Sequence, residues 1–448
     1  MRVIKSLLLG AAAGLAATAG VQAADMPVKA KAVEYVKICS AYGAGFYYIP
    51  GTDICLRVGG YVYLETGVKG ANAVANIYGS NDGIINADYN YMNWRTSARV
   101  NLDARQNTAY GTLRAFMSTG GNFNANHTNI TSWDAAYIQF AGFTWGYTNS
   151  FFSFAGPGYT VTASPMTDWS WINLFAYTAQ LGNGLTASLS VEDPRGRRAG
   201  INSFAVQNTA GGVVFTGAGS AANAYGGSWA PEVVGNINVT QAWGRAQIMA
   251  ALHQVKPNSV LQNFGADSEW GWAVGAGVEI KTPQTGNPNN SWIIQGAYTE
   301  GAVDYIGYNS SPTAGNVAFA LATFSGNGPI FAVNDAVTNA VTGSLELTEA
   351  WSVYTAYRHY WTPMLRTAFT FGYLEIDESA SVPLVFLQGK LDVMQVGVGT
   401  VWSPVAGLDL SLDVVWSDLE CSACNPNVAG ASASNDIITV WTRMRRNF

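Results

Sequence analysis

The amino-acid sequence predicts an all-β protein, a transmembrane antiparallel up-and-down β-barrel of sixteen strands. The first observation is an alternation of apolar and polar residues over segments of about ten residues, separated by turn residues. The second is composition: 12% charged residues, 12% aromatic residues and 49 glycines. The third is an export segment, after which no apolar run reaches the length of about 18 residues that a membrane-spanning helix needs. A membrane protein without such helices must be a closed barrel, which also satisfies every backbone polar group.

The composition excludes two further classes of protein. Apolar residues make up 48% of the chain, which is more apolar surface than a disordered protein carries. The formal net charge is −6, so the chain lacks the basic excess that nucleic-acid binding requires.

The N-terminal residues 1–23 are typical of a secretory signal peptide. Arg2 and Lys5 form the positive region, and the apolar stretch Leu7–Gly20 follows. Small residues in Val21–Ala23 are typical of a cleavage site, so the mature chain is expected to start at Ala24. A membrane anchor is the alternative, but this stretch is mostly Ala and Gly and is short for a span.

The four cysteines fit an exported protein, because disulfides persist in an oxidising compartment. We expect Cys39 to pair with Cys55 in an N-terminal segment, residues 24–55, and Cys421 to pair with Cys424. Four cysteines allow three connectivities, so spacing alone does not decide the pairing. A zinc site is the rival interpretation, but no histidine lies near either pair.

Alternation is clearest in "RTSARVNLDAR" (Arg95–Arg105), where Val100 falls on the apolar face and the arginines fall on the other. The segment Leu408–Trp416 alternates in the same way and ends on an aromatic residue. Trp402 precedes the short turn at residues 403–407, so aromatic residues fall near both ends of a crossing. Aromatic belts at the two interfaces are typical of a membrane barrel.

Short turns alternate with long loops along the predicted barrel, residues 56–448, another feature of membrane barrels. Residues 301–349 could add one more strand pair, which would make eighteen. The sixteen predicted crossings are 56–67, 95–105, 109–118, 134–143, 145–152, 174–181, 185–192, 232–240, 245–253, 270–281, 292–300, 350–361, 364–373, 391–402, 408–416 and 436–448.

The chain resembles the alphaproteobacterial general porin family. The most specific match is the segment after the signal, "DMPVKAKAVEYVKICSAYGAGFYYIPGTDICLRVGGYV". The matches "FAGFTWG", "AYTAQLGNGLTASLSVED", "HYWTPMLRT" and the terminal "RMRRNF" extend the resemblance over most of the mature chain.

The resemblance implies a homotrimeric diffusion channel in the outer membrane of a Gram-negative bacterium. It implies that the third long loop, residues 155–173, folds into the lumen and narrows it. It also implies that the last strand, ending at Phe448, is recognised by the barrel-insertion machinery.

Strand parity and the resemblance together suggest residues for the constriction. Arg95, Arg99 and Arg114 are the candidate basic residues of the wall, and Asp134 and Asp168 are the candidate acidic residues. Opposed rows of charge would create a transverse field across the channel. The alternative is that these arginines only hydrate the lumen or pair with neighbouring carboxylates.

The predicted function is passive diffusion of small hydrophilic solutes and ions, which requires neither a catalytic residue nor a cofactor or metal. The expected partners are membrane lipid and lipopolysaccharide, whose phosphates could meet Arg195, Arg197 and Arg198 if that loop is not simply solvated. The alternatives are a substrate-specific channel, a plugged structural barrel or adhesin, and a barrel enzyme that uses His253.

Overall fold

We analysed a computed structural model of the chain, which falls into two compact units, Met1–Leu56 and Arg57–Phe448. The predicted signal peptide and the predicted start of the mature chain lie outside the described residues. The structure describes residues 37–69, 92–123, 130–154, 159, 166–202, 205–209, 212–216, 224–263, 265–283, 286–307, 318–320, 330–339, 342–378, 389–422 and 433–448.

The described part of the first unit is a small disulfide-closed hairpin. A 3-10 turn, Ser40–Tyr42, precedes strand β1 (Tyr47–Tyr48). Strand β1 pairs with the first residues of β2 (Cys55–Lys69), and Tyr48 lies opposite Cys55. Cys39 and Cys55 form a disulfide with a Cα–Cα distance of 5.9 Å, and both residues are buried beside Phe46. The predicted Cys39–Cys55 pairing is therefore confirmed.

The second unit is a closed antiparallel barrel of sixteen strands, as the alternation predicts. Strand β2 pairs with both its sequence neighbour β3 (Met92–Thr108) and the last strand β24 (Ala433–Asn447), which closes the ring. After β2 the barrel strands are β3 (Met92–Thr108), β4 (Gly111–Phe123), β5 (Ile130–Phe140), β6 (Phe143–Asn149), β7 (Trp171–Gly182), β8 (Leu185–Glu192), β12 (Glu232–Gln241), β13 (Gly244–Val255), β14 (Glu269–Lys281), β15 (Ser291–Glu300), β20 (Glu349–Thr362), β21 (Leu365–Asp377), β22 (Lys390–Val405), β23 (Leu408–Cys421) and β24 (Ala433–Asn447).

The remaining strands are short and lie in the long loops. They are β9 (Ile201–Asn202), β10 (Ala205–Thr209), β11 (Gly212–Thr216), β16 (Ala318–Ala320), β17 (Ile330–Ala332), β18 (Ala336–Thr338) and β19 (Leu345–Leu347). Among the residues that the structure describes, strands β16 to β19 pair with loop strands alone, whereas β15 pairs directly with β20. The eighteen-strand alternative is therefore wrong, because three-residue strands are far shorter than the roughly nine residues that a crossing needs.

The two ends of the barrel differ in their connections. At one end, which we call the turn end, most hairpins close in two residues, as at Asn183 and Gly184, and the longer connection between β14 and β15 is residues 282–290. Both residues have positive φ, 51° and 78°, the conformation that an Asn-Gly hairpin turn requires. The opposite end, which we call the loop end, carries the long segments between β8 and β12 and between β15 and β20.

The outer face of the barrel is apolar, and large side chains on it are exposed, such as Val100, Ile248, Phe369 and Leu412. Outward-facing tryptophans occur near the turn end (Trp243, Trp361 and Trp402) and near the loop end (Trp94, Trp270 and Trp351). This is the arrangement of apolar band and aromatic belts that a bilayer requires. In the described residues, no helix is long and apolar enough to cross a membrane.

The C-terminal residue extends the last strand at the turn end. Phe448 N–H donates to the Gly60 carbonyl (3.1 Å), and Gly60 N–H donates to the Phe448 carbonyl (3.0 Å). The Phe448 side chain is 62% exposed on the outer face, in register with Met444. The terminal aromatic residue therefore lies where the barrel closes, in the position that the sequence predicts for it.

Candidate functional site: the lumen and its constriction loop

The loop between β6 and β7, residues 150–170, turns into the barrel and contacts strands far from its own. We call it the constriction loop, and the structure describes residues 150–154, 159 and 166–170 of it. Phe154 lies on Gly277 of β14, and Met166 lies on Gly372 of β21. A Cβ atom at either glycine would overlap the loop side chain, so these glycines provide the space in which the loop packs. The inward fold of the third long loop is therefore confirmed.

Polar contacts fix the middle of the constriction loop to the wall. The Tyr159 hydroxyl donates to Glu279 Oε1 at 3.0 Å and lies 3.0 Å from Ser291 Oγ. The Arg358 guanidinium lies 4.2 Å from the centre of the Tyr159 ring. Burial raises the pKa of Tyr159 to about 12, so its hydroxyl stays protonated and remains a donor at neutral pH.

A buried arginine fixes the second half of the constriction loop. The side chain of Arg197 is 0% exposed and donates to both carboxylate oxygens of Asp168, at 2.9 and 3.2 Å. Its guanidinium also lies 3.5 Å from Glu192 and 3.6 Å from Asp304. We call these four residues the Arg197 cluster. It joins the constriction loop, the loops after β8 and β15, and the barrel wall.

The charge of Arg197 is strongly favoured in this setting. Burial alone would lower its pKa, but the charge of Asp168, the stacked Tyr305 and the charge of Glu192 raise the pKa well above the ordinary arginine value. The guanidinium lies 4.0 Å from the centre of the Tyr305 ring, a cation–π contact. Arg197 is therefore a permanent cation that compensates several buried carboxylates.

A second buried network holds the two long loops together. His253 Nδ1 lies 2.5 Å from Glu232 Oε1 on the wall. The Tyr225 hydroxyl donates to Asp335 Oδ2 (2.6 Å) and lies 3.0 Å from His253 Nε2. Tyr305 donates to the other Glu232 oxygen at 2.8 Å. Both nitrogens of His253 thus face carboxylate or tyrosine groups, and its described contacts do not include the serine that a barrel enzyme would need.

Opposite this packed region, the lumen faces of β24, β2, β3, β4 and β5 form what we call the open wall. Its carboxylates are surrounded by arginines: Glu65 Oε2 accepts from Arg443 Nη2 at 2.5 Å and Glu65 Oε1 accepts from Arg95. Asp103 accepts from Arg105 (2.7 Å) and Arg114 (2.9 Å). The described arginines of the open wall are Arg57, Arg95, Arg99, Arg105, Arg114, Arg443 and Arg445, and its described carboxylates are Glu65, Asp103 and Asp134.

A β-bulge turns Asp134 toward the lumen. The pairing of β4 with β5 passes from Ser118–Ala135 to Thr119–Trp133, so Asp134 is the extra residue of the bulge. Its side chain reaches into the lumen and accepts a hydrogen bond from Arg99 Nε. Bulges of this kind re-aim single side chains.

The structure brings four of the five predicted constriction residues together on the open wall: Arg95, Arg99, Arg114 and Asp134. The fifth, Asp168, is on the constriction loop, but its side chain is 1% exposed and is paired with Arg197. Its carboxylate therefore does not face open water across from the arginines. Glu65, Asp103 and Arg105 were not among the predicted residues, although parity placed Asp103 and Arg105 on the lumen face of β3.

Two other sequence predictions concern residues near the loop end. Arg195 is 73% exposed and pairs with Asp193, but Arg197 and Arg198 are buried. Contact of the last two with lipopolysaccharide is therefore wrong, because their charges are used inside the protein. Cys421 ends β23, whereas Cys424 lies outside the described residues, so their pairing stays a prediction.

A sequence profile described as the porin subfamily matches residues 25–440. The chain belongs to the porin family. It is 34% identical to the porin Omp2b of Brucella suis biovar 1, over 63% of this chain and 82% of the relative, and equally similar to Omp2b of Brucella abortus strain 2308. The outer membrane channel DcaP of Acinetobacter baumannii has the same fold, with a TM-score of 0.59 at 15% identity, over 90% of this chain and 99% of that one.

The family and the barrel place this porin in the outer membrane. It forms a water-filled channel through which small hydrophilic solutes and ions diffuse passively. The lumen beside the constriction loop is bounded by the open wall, whose charged side chains can interact with the solutes that pass.

Proposed function

We propose that ions pass along the open wall and that its arginines make this porin prefer anions. The observation that carries the proposal is that most arginines of the open wall are more exposed to water than the carboxylates with which they pair. At the Arg99–Asp134 pair the carboxylate is the more exposed partner, 32% against 8%. The other pairs show the reverse: Arg57 is 49% exposed, whereas the carboxylates of Glu65 and Asp103 are almost fully buried beneath their arginines. The surface that faces the water is therefore basic, although the whole chain carries −6.

The acidic residues of the opposite region do not offset this basic surface. Asp168, Glu192 and Asp304 surround Arg197 out of contact with water, and Glu232 and Asp335 lie beside His253. A buried carboxylate paired with a cation projects little field into the water of the channel. Net charge is for this reason a poor guide to the ion preference of the porin.

Reversal potential under a salt gradient tests the proposal. Replacing Arg57 or Arg114 with Gln should move the reversal potential toward that of a cation-selective channel. A unit charge acting at about 4 Å in water contributes about 1 kcal/mol, so the anion-to-cation permeability ratio should fall by up to about fivefold. Arg446→Gln is the matched control, because Arg446 lies on the outer face and donates to the Ala406 carbonyl (2.6 Å). An equal shift in the control would contradict the proposal.

Assembly is the second part of the proposed function. Residues 1–23 act as a cleaved signal peptide, and the exposed aromatic side chain of Phe448 is recognised by the barrel-insertion machinery. Its position on the outer face of the closing strand supports this role. Phe448→Ser should reduce the amount of folded barrel in the outer membrane while Met444→Ser should not, and equal assembly of the two would contradict the role.

The porin assembles as a homotrimer in contact with lipid and lipopolysaccharide. The exposed apolar band of the barrel supplies a surface for contact with the other subunits and with lipid. The exposed Arg195 can reach lipopolysaccharide phosphates. Chemical cross-linking in the membrane followed by denaturing electrophoresis should give a ladder that ends at three copies. A ladder that ends at a single copy would contradict the trimer.

A further inference from the structure

A polar cavity of about 310 Å³ lies in the lumen between the constriction loop and the turn end. Strands β5, β6, β8, β12 and β13 form its wall, and the beginning of the constriction loop covers it. The side chains that carry the argument are Gln139, Thr144, Ser188, Asn238 and Gln247, with the ring of Tyr137 beside them. None of the described lining residues is an Asp, Glu, Lys or Arg. This cavity therefore differs in chemistry from the open wall.

Hydrogen bonds hold the amide groups of the cavity in fixed orientations. Asn238 Nδ2 donates to Gln247 Oε1 at 3.2 Å. Gln247 Nε2 lies 3.3 Å from the carbonyl oxygen of Ser153 and 3.5 Å from that of Phe152, to which it donates. The constriction loop thus orients Gln247, which in turn orients Asn238.

The opposite side of the cavity is oriented by an arginine of the open wall. Arg114 Nη1 donates to Gln139 Oε1 at 3.0 Å, which directs Gln139 Nε2 toward Thr144 Oγ1 at 3.4 Å. Ser188 Oγ lies 3.0 Å from Thr178 Oγ1. An amide offers two donors and two acceptor lone pairs, and a hydroxyl offers one donor and two lone pairs. These groups retain hydrogen-bonding capacity after their internal contacts are made.

We propose that this cavity is a binding site for neutral polyhydroxylated solutes, such as small sugars, on their way through the channel. The proposal rests on the proposed diffusion function. An array of amides and hydroxyls matches the paired donors and acceptors of vicinal hydroxyl groups, and the absence of charge from the lining gives an ionic solute no partner here. The ring of Tyr137 offers an apolar surface to the C–H face of a sugar. A volume of about 310 Å³ is at the lower end of the range for ligand sites, which suits a sugar of one or two rings.

Binding at this site must be weak, because a conducting channel has to release its solute. Each sugar hydroxyl exchanges hydrogen bonds with water for similar ones with the protein, so the net gain per bond is small. The expected signature is a saturable reduction of ion current by neutral sugar.

Single-channel recording with glucose or maltose on one side tests the site. We expect the ion current of the parent porin to fall saturably with sugar concentration. In Asn238→Leu the half-blocking concentration should rise about tenfold, as expected from the loss of one to two hydrogen bonds. Thr144→Val is a second variant that removes one hydroxyl while preserving volume, and it should shift the block in the same direction. Asn101→Leu, on the lumen face of the open wall, is the matched control and should leave the block unchanged.

Each alternative outcome is informative. Equal block in the parent and both cavity variants would overturn the site, as would normal conductance without saturable block. Block by gluconate but not by glucose would instead assign solute binding to the arginines of the open wall. A folded parent porin that carries no current would overturn the diffusion function and the site together, whereas the potassium-to-chloride ratio is measured without sugar and tests the anion preference separately.

Discussion

The open wall and the region facing it are both built from antiparallel β-strands, yet their lumen-facing side chains differ in polarity. On β2, β3 and β4 the lumen-facing positions carry arginines and carboxylates. On β14, β15, β20 and β21 many of these positions carry small or apolar residues, such as Ala273, Gly277, Ile293 and Ala356, which are covered by loops. The charged Glu279 and Arg358 among them contact Tyr159 of the constriction loop. We call this second region the covered wall.

The comparison shows that the polarity of the lumen-facing side chains indicates whether a loop or water lies against them. An apolar residue facing inward would be exposed to water in an empty lumen, so its presence indicates a loop packed on that wall. A charged inner residue that stays exposed, such as Arg57, indicates water. The covered wall therefore gives the porin a narrowed lumen, and the open wall gives that lumen its charge.

The Arg197 cluster should show the largest effect when the covered wall is disrupted. Arg197→Met removes the cation and leaves Asp168, Glu192 and Asp304 buried without it, a change that costs about 3–5 kcal/mol. We expect the constriction loop to detach, which should raise single-channel conductance and increase current noise. Arg195→Met, at an exposed ion pair two residues away, is the control and should behave as the parent. Unchanged conductance in Arg197→Met would show that the loop is held by other contacts.

Within the described residues no loop packs against the open wall, so we expect its stability to depend on the lipid-facing side of its strands. Val100→Arg places a charge on the outer face of β3 and should destabilise the folded barrel in lipid by about 2–4 kcal/mol. Asn101→Arg, one residue along on the lumen face, should have little effect. Folding equilibria in lipid vesicles compare the two variants, and equal destabilisation would contradict the assigned faces of β3.

A glycine on the covered wall should be sensitive to a single added methyl group. In Gly277→Ala the new Cβ overlaps the Phe154 ring, and overpacking of this kind costs about 1–3 kcal/mol. The constriction loop should shift and change conductance. Gly235→Ala is the matched control, since the nearest atom to its new Cβ is the Ser188 carbonyl oxygen at 3.8 Å. Identical conductance in parent, variant and control would argue against loop packing on Gly277.

The smallest effect concerns pH and the loop segment around Asn334, between β15 and β20, which packs against the covered wall. Glu378, just after β21, is buried and accepts from the Asn334 backbone N–H. Burial raises its pKa from an ordinary value of 4.5 to about 8. The protonated form of Glu378 stabilises the packed position of the segment around Asn334. This stabilisation is complete below pH 4.5, declines as pH rises and is lost above about pH 8. Hydrogen-exchange protection factors at residues 333–339, which are corrected for the intrinsic base-catalysed rate, should therefore fall between pH 5 and pH 8, and Glu378→Gln should remove that dependence. Equal pH dependence in the variant would exclude Glu378 as its source.

Much of the fold follows from local pattern. Alternation and turn chemistry predict all sixteen strands to within a few residues at most ends, because a lipid-facing strand must be apolar on every second position. The alternation also places Arg95, Arg99 and Arg114 on one face. Residues 301–349 left eighteen strands as an alternative to sixteen, since short apolar runs such as "NVAFALATF" suit a loop hairpin as well as a barrel strand.

The arrangement of the lumen could not be predicted in the same way. Asp168 looks like a free acidic residue in a loop, and only its distance from Arg197 shows that the charge is compensated. The partners are 29 residues apart and belong to different loops, so no periodic signal connects them. The bulge at Asp134 is also invisible to strand parity, because it depends on the pairing of β4 with β5.

The central claim is that the arginines of the open wall make the lumen basic, while Asp168, Glu192 and Asp304 are buried around Arg197 on the opposite side. The most direct test is the reversal potential of the parent porin in a planar bilayer under a potassium chloride gradient. We expect its sign to follow the equilibrium potential of chloride. A sign that follows potassium, as the net charge of −6 alone would suggest, would contradict the account.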